Sequence, residues 1–365
     1  MKQFTLQRAA GLAVALSFAS VSPHALADTN HLKIAAPEGH APIMVMGEHM
    51  HKAGEYMVSL RHMDMSMSGN LNGSNDIADS AVLNIANSHA TPSQLRVVPQ
   101  KMDMKMTMLG AMYAPSDTVT LMLMAMHMEN TMTLKTYHAM NKTLLGSFKS
   151  QSEGAGDTTV GALIQGGDTA SGEWHYGVAL SLPTGSIKQT GTVLTPMNMT
   201  QAGKRLPYPM QLGSGSYDLK SSLTYNGDWG NANWGRWRVG AQASAVLRLN
   251  DNNADYRLGD KAELQGWAMR RVADWLSASV RFDVSHQGKI DGQDTNITLP
   301  VQTAQTNFSG GTFANLSLGL NLIGQSGALA NHRLAIEWVS PVHQGVHGVQ
   351  MKRDDTLMIG WQKAF

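Results

Sequence analysis

The chain has 365 residues, a formal net charge of +1 and no cysteine. The lack of cysteine excludes a disulfide framework, a thiolate metal site and a thiol nucleophile. Charged residues make up 15% of the chain, and this small, nearly balanced charge argues against a nucleic-acid partner and against a disordered chain. Methionine is the outlier of the composition, because 18 of the 25 methionines lie between residues 44 and 140.

The N-terminal segment has the pattern of a secretory signal peptide. A basic start and an apolar run over residues 9–21 precede the cleavage-site sequence Ala25-Leu26-Ala27. No later apolar run approaches the roughly 20 residues that a membrane helix needs. We therefore expect residues 1–27 to be removed on export, so that any membrane-embedded part of the remainder is a closed sheet.

Residues 28–53 form a segment rich in methionine and histidine, predicted to lie in the periplasm. Mixed thioether and imidazole ligands suit copper, because thioethers select Cu(I) and imidazole also binds copper. The segment is therefore either a periplasmic metal site, which meets a carrier or tucks into the barrel, or a His-rich tether. Its candidate ligands, beside Glu48, are His40, Met44, Met46, His49, Met50 and His51.

From residue 54 onward the chain alternates apolar with polar or small residues, which is the pattern of strands. Leu316, Leu318, Leu320 and Leu322 are one such row. Rows of this kind recur in twelve candidate strands, whose connections alternate between short and long. The long connections, predicted to be extracellular loops, are residues 69–99, 131–154, 183–214, 250–258, 288–311 and 340–354. This organisation predicts an all-β fold, a transmembrane antiparallel β-barrel over residues 54–365 with short periplasmic turns. Ten and fourteen strands are the alternatives.

The final strand has an apolar row of Leu357, Ile359 and Trp361 and ends on Phe365. A terminal aromatic strand is typical of bacterial outer-membrane barrels, in which the last strand closes against the first. The barrel-assembly machinery and outer-membrane lipids are the expected partners.

Three internal segments have distinctive turn sequences, namely 153–157, 180–185 and 205–218. In these segments and in the closing strand the chain resembles a family of bacterial outer-membrane transporters named for the MetA pathway of phenol degradation. The resemblance covers roughly residues 40–365. It implies an outer-membrane barrel with a transport role and supplies no catalytic residues.

Three methionine ladders recur at every second residue, so that each ladder shares one face of its strand. The opposite faces carry lipid-like rows, which predicts that the ladders face the extracellular half of the lumen. The ladder residues are Met63, Met65, Met67, Met104, Met106, Met108, Met122, Met124, Met126 and Met128.

Three interpretations of the ladders remain open. Thioethers are soft ligands that select Cu(I) or Ag(I), so the ladders are one candidate metal site. Sulfur also packs well against aromatic rings, which suits a surface for an apolar solute. The third interpretation is that methionine only fills irregular space in a narrow barrel.

The same alternation predicts a set of charged residues on the inner face of the later strands. An excess of cations in an open pore favours anions, whereas paired charges close the lumen. The set comprises Arg236, Arg238, Arg248, Lys261, Glu263, Arg271, Arg281, Asp283, Arg333 and Glu337.

The sequence therefore predicts an outer-membrane channel of a Gram-negative bacterium that carries a small molecule or a metal ion. A copper- or silver-binding barrel in metal homeostasis is the alternative, and a structural barrel without transport is the second. No cofactor is expected apart from Cu(I) or Ag(I). The chain has no G-x-S-x-G or H-E-x-x-H motif, so we expect no enzymatic activity.

Overall fold

The computed structural model describes residues 36–88, 91–230 and 237–365. The predicted signal peptide, the first residues of the segment 28–53 and Arg236 lie outside these ranges.

Within the described residues the chain forms eighteen strands and a few short helical turns. The strands are β1 (Tyr56–Asn72), β2 (Asn75–Asp76), β3 (Val97–Ser116), β4 (Val119–Tyr137), β5 (Leu144–Ala155), β6 (Thr158–Thr169), β7 (Gly172–Leu182), β8 (Thr190–Leu194), β9 (Thr200–Arg205), β10 (Asp218–Trp229), β11 (Trp237–Arg248), β12 (Tyr256–Arg257), β13 (Lys261–Ala273), β14 (Leu276–Gln287), β15 (Asp291–Gly292), β16 (Gly311–Ile323), β17 (His332–Val346) and β18 (Val349–Ala364). The helical elements are α1 (Asp79–Val82) and the 3-10 turns Pro37–Gly39, Tyr208–Met210, Gln302–Ala304 and Gly327–Leu329. None of these described helices is long and apolar enough to cross a membrane.

Twelve of the described strands close into one antiparallel barrel. In order around the wall they are β1, β3, β4, β6, β7, β10, β11, β13, β14, β16, β17 and β18, and β18 pairs with β1. At this seam Tyr56 and Phe365 exchange both backbone hydrogen bonds, at 3.2 and 2.8 Å. The predicted twelve-stranded barrel is confirmed, and its last strand closes against its first.

The two faces of the wall follow from the alternation of side chains along each strand. On β16, Leu316, Leu318 and Leu320 are 42–53% exposed on the outer face, whereas Ser317 and Asn321 are buried inside. An apolar outer row and a polar inner row are the arrangement of a barrel whose outer face contacts lipid.

The two ends of the barrel differ in the length of their connections. Short turns join β3 to β4, β6 to β7 and β13 to β14 at the end that also holds Tyr56 and Phe365. Aromatic side chains are exposed at this end, including Tyr113, Trp229 and Trp275, as in the aromatic belts of membrane interfaces. Short turns identify the periplasmic end, and the long loops at the other end are extracellular.

Two of the predicted extracellular loops are wrong in extent. Most of residues 131–154 and 340–354 is strand, because β4 pairs with β5, and β17 and β18 continue to the turn at residues 347–348. These extensions have polar residues such as Thr131, Thr133 and Lys135 where the membrane-spanning part has an apolar row. Strand pairing and the burial of inner residues such as Met132 maintain the β4 extension. The hydrophobic pattern does not reveal it, because the outer face has no apolar row.

Candidate functional site

An irregular segment, Pro37–His51, lies inside the barrel at its periplasmic end, and we call it the plug. Side chains from seven barrel strands hydrogen-bond to its backbone. Ser277 Oγ donates to Pro37 O at 2.8 Å, and His175 Nε2 donates to Gly47 O at 2.8 Å. A buried loop needs partners for its backbone groups, and the inner wall supplies them. The described part of the predicted periplasmic segment thus tucks into the lumen.

The extracellular end is covered by residues 183–217, 250–260 and 288–310, which we call the cap. Tyr208, Met210 and Ile297 of the cap are buried against Met102 and Met132 on the inner faces of β3 and β4. Burial raises the pKa of Tyr208 to about 12. The cap is therefore a packed apolar layer above the lumen.

A buried carboxylate anchors the cap to the wall where β5 gives way to β6. Asp157 Oδ1 accepts from Gly185 N at 2.9 Å, and Oδ2 accepts from Ser214 N and Oγ at 2.8 and 3.0 Å. Ser216 Oγ donates to Asp218 Oδ1 at 2.7 Å, and Ser214 Oγ also lies 3.0 Å from Asp218 Oδ2. Three segments that carry the family resemblance therefore meet in one hydrogen-bond network, whose role is to position loops.

A cavity of about 380 Å³ lies beside the plug in the lumen. Its polar lining includes Arg61, Lys220, Gln242, Lys261 and Glu263. The remaining lining is rich in methionine, with contributions from the plug and from three strands: Met44, Met46, Met57, Met108, Met112, Met122 and Met124. One side of the cavity is thus polar and the other is a thioether surface.

The three predicted ladders lie on the inner faces of adjacent strands and join across them. Met63 pairs with Met106, which pairs with Met128, so that these three form one row. The rows Met57–Met112–Met122 and Met67–Met102–Met132 have the same form, and the pairs Met65–Met104 and Met108–Met126 lie between them. Directly opposed side chains have Cβ atoms about 4.5–5.5 Å apart.

The rows extend over more of the lumen than the predicted extracellular half. The row of Met57, Met112 and Met122 lies near the periplasmic turn between β3 and β4, whereas Met102 and Met132 lie under the cap. The predicted range of the methionine rows is too narrow. The sequence indicates the direction of β3 and β4 but not their full lengths, so it misplaces the middle of each strand.

The thioethers of Met126 and Met128, which belong to neighbouring groups, both lie close to one glycine. A Cβ atom at Gly156 would lie 2.5 Å from Met126 Cγ, 2.9 Å from Met126 Sδ and 3.2 Å from Met128 Sδ. Any larger side chain at Gly156 would therefore displace both sulfurs. The break between β5 and β6 leaves the space that they occupy.

The predicted lumen charges are paired in the part of the chain that the structure describes. Arg281 contacts Asp283 and Glu337 at 2.5 and 2.7 Å, and Arg333 lies 3.6 Å from Glu48. The other described cations of the set also face carboxylates: Arg238 with Glu173, Arg248 with Asp218, Lys261 with Glu263 and Arg271 with Glu38. The contacts therefore agree with paired charges that close the lumen, and not with an excess of free cations in an open pore.

The plug also gathers the predicted imidazole ligands. His40 Nδ1 and His49 Nδ1 lie 3.3 and 2.7 Å from Glu48 Oε1, and the rings of His49 and His51 are 4.7 Å apart. The predicted thioether ligands Met44 and Met46 line the cavity, and Met50 is half-buried.

The buried position of this cluster changes its protonation. Burial lowers the pKa of His40 to about 4, although its hydrogen bond with Glu48 opposes the change. Burial alone raises the pKa of Glu48, but the nearby imidazole of His49 and the hydrogen bond from His40 outweigh it, so the pKa lies well below its usual range. At neutral pH the cluster therefore combines a neutral His40 with an ionised Glu48.

Sequence reasoning missed several residues of the lumen. Arg61 lines the cavity and contacts Met46, and its spacing of two from Met63 was the signal that places it on the inner face. Lys220 and Gln242 follow the same alternation on β10 and β11. No local pattern indicates the contacts of the plug, because its partners are spread over seven strands.

Comparisons with known proteins agree with this architecture at the level of fold. No family model and no curated protein matches the chain. Among solved structures, an outer membrane channel from Pseudomonas putida F1 aligns with a TM-score of 0.54 at 13% identity, over 87% of this chain and 98% of that one. The β-domain of the Bordetella autotransporter BrkA aligns with a TM-score of 0.44 at 8% identity, over 86% and 100%. A FadL homologue from Pseudomonas aeruginosa aligns with a TM-score of 0.39 at 6% identity, over 85% of this chain and 90% of that one.

The chain is an outer-membrane β-barrel. Its closed twelve-stranded wall and its similarity to the Pseudomonas putida channel confirm the predicted location in a Gram-negative outer membrane. Membership of the phenol-degradation transporter family stays a prediction from the sequence segments.

Proposed function

We propose that this barrel is an outer-membrane channel for a small, mainly apolar solute that moves along the methionine rows. The observation that carries the proposal is the position of these rows beside a cavity of about 380 Å³. Small-molecule sites typically measure about 300–1,000 Å³ and combine an apolar lining with a few polar groups. Lys220, Gln242 and Glu263 provide the polar groups on the opposite side.

The solute class follows from the chemistry of the two sides. Thioethers are polarizable and adaptable, and each sulfur–aromatic contact contributes about 0.3–1.5 kcal/mol. A small aromatic molecule with one polar substituent matches a thioether surface that faces amide and charged groups. Passage requires movement of the plug and the cap, because both lie in the lumen.

A second candidate function is binding of Cu(I) or Ag(I) for metal homeostasis. The observation that favours it is the approach of Met126 Sδ and Met128 Sδ to one point beside Gly156. Soft thioether ligands select these ions, and they bind without losing a proton.

The experiment compares the wild-type protein with the variant Met106→Leu, Met108→Leu, Met126→Leu and Met128→Leu in planar bilayers. Leucine keeps volume and apolarity at a cost below about 1.5 kcal/mol per site, so we expect the barrel to fold and conduct. Block of the current by a small aromatic alcohol should weaken by up to about tenfold per lost sulfur contact. Block by Ag⁺ should disappear if the thioethers bind metal, since leucine has no lone pair.

Met140→Leu is the matched control, because Met140 is 87% exposed in a loop outside the lumen. This variant should keep wild-type conductance and wild-type block by both probes. If folded wild-type protein gives neither ionic current nor solute flux into liposomes, the channel proposal is wrong and a structural barrel remains.

A further inference from the structure

The plug contains a compact group of metal-ligating side chains that the proposed solute path does not use. One ligand atom from each of His40, Glu48 and His49 lies within 4.8 Å of the others. The Glu48 side chain is only 4% exposed, and the two imidazoles are 16–17% exposed. Two imidazole nitrogens and one carboxylate oxygen are a common ligand set for Zn²⁺.

Several nitrogen atoms of this group are buried without a hydrogen bond. Within the described residues, these include both ring nitrogens of His49 and the Nε2 of His51. His49 Nδ1 approaches Glu48 Oε1 to 2.7 Å but not in hydrogen-bonding geometry. Buried polar atoms normally have partners, because leaving one unsatisfied costs free energy. An imidazole nitrogen that lies beside a carboxylate oxygen without a hydrogen bond to it is placed so that both atoms can bind one cation.

The barrel wall holds the ligands from different sides of the lumen. Asn321 of β16 donates to His40 O at 3.1 Å, and Asn226 of β10 donates to Glu48 O at 2.6 Å. Arg333 approaches Glu48, but its Nε and Nη2 also donate to Asn321 Oδ1 at 3.1 and 2.6 Å. The ligands are thus brought together by docking of the plug.

We propose that His40, Glu48 and His49 bind one divalent cation of borderline hardness, Zn²⁺ or Cu²⁺, and that the bound ion holds the plug in the lumen. Imidazole nitrogen and carboxylate oxygen suit both ions. The site is separate from the thioether rows, which suit soft monovalent ions. Its ligands lie at position 40, near the start of the plug, and at positions 48–49, near its end. The ion therefore links the two ends of the plug.

The effect on transport rests on the proposed channel function. A cation that binds only the docked plug favours docking over undocking. At concentrations well above its Kd, the ratio of docked to undocked plug rises in proportion to the cation concentration. At a concentration of one hundred times Kd, the undocked fraction falls about a hundredfold. The divalent cation therefore closes the periplasmic end of the lumen.

The test titrates Zn²⁺ alone into the full chain after chelator treatment, with a fluorescent zinc indicator as competitor. Every protein carries His127→Ala, which removes the exposed group of His127, Glu129 and Glu153 from the measurement. We expect one ion per chain, with affinity lowered at least tenfold by His40→Ala, by His49→Ala and by Glu48→Gln. His62→Ala is the matched control, since His62 is exposed on the outer face, and it should not change the affinity.

Cu²⁺ spin resonance provides a second measurement that does not depend on the folding of a variant. The wild-type spectrum should contain nitrogen splitting from two imidazoles. A spectrum without nitrogen splitting, or wild-type Zn²⁺ affinity equal to that of the His40→Ala/His49→Ala protein, would overturn the site.

Bilayer recordings separate this proposal from the channel proposal. Zn²⁺ on the periplasmic side should reduce the open probability of the wild type and leave that of His49→Ala unchanged. If both proteins conduct and neither responds, the closure fails while the channel stands. If neither conducts, the channel fails, and the titration still decides whether the ion binds.

Discussion

At the scale of single residues, the charges inside the barrel have structural partners. The side chain of Arg281 is 3% exposed, and its guanidinium contacts Asp283 and Glu337 directly. Glu337 also accepts a hydrogen bond from Met44 N at 2.8 Å. One buried network therefore connects β14, β17 and the plug.

Replacing Arg281 by methionine should destabilise the barrel strongly. The change leaves two carboxylates buried without their cation, and breaking a buried pair in this way costs about 3–5 kcal/mol. The measurement is the guanidinium midpoint of unfolding for barrels folded in lipid vesicles.

Lys352→Met is the control for this prediction. Lys352 is 42% exposed and pairs with Asp76 at 2.9 Å, and an exposed pair contributes only about 0–1 kcal/mol. Equal midpoints for the two variants would show that the Arg281 network does not stabilise the fold.

At the scale of the elements, the seam between β1 and β18 closes the barrel. The rings of Tyr56 and Phe365 stack with centroids 4.8 Å apart, above their reciprocal backbone hydrogen bonds. The pairing of β1 with β18 then continues from Met57 opposite Ala364 to Asn72 opposite Val349, with irregularities near Met67.

Phe365→Ala should slow insertion of the barrel, because the ring packing that fixes the start of the seam is lost. Aromatic pairs contribute about 0.5–1.5 kcal/mol beyond their buried area. The measurement is the time course of the folded species in isolated outer membranes. Leu329→Ala is the control, because Leu329 is 65% exposed at the same end but away from the seam. Equal rates for the two variants would contradict a special role of this aromatic pair.

At the scale of the whole molecule, the unequal connections give the barrel a direction. The exposed turn at Ser74 belongs to the long-loop end, and the exposed turn at Thr118 belongs to the short-turn end. Neither residue is among the plug and cap contacts described above.

Single cysteines at these positions test the direction, because the chain has no cysteine of its own. Ser74→Cys should react with a membrane-impermeant maleimide on intact cells, and Thr118→Cys should react only after the outer membrane is opened. Reaction of Thr118→Cys on intact cells would reverse the assignment of the two ends.

The sequence by itself determined the wall of this protein. Side chains on a strand alternate between two faces, so the rows around Leu318 and around Met106 are visible without knowledge of any partner strand. The twelve strands and the inward face of the methionines follow from this local rule. The extracellular extensions of β4 and β18 could not be predicted in this way, because their outer faces have polar residues instead of an apolar row.

Only the tertiary structure decided what occupies the lumen. The plug has no period, and its carbonyl groups bind side chains such as Ser277, Asn321 and Gln242, which are distant in the sequence. The methionine rows depend on register between strands, and the cluster around Glu48 depends on docking of the plug. Alternation is set by neighbouring residues along one strand, whereas these features require several strands to be in place at once.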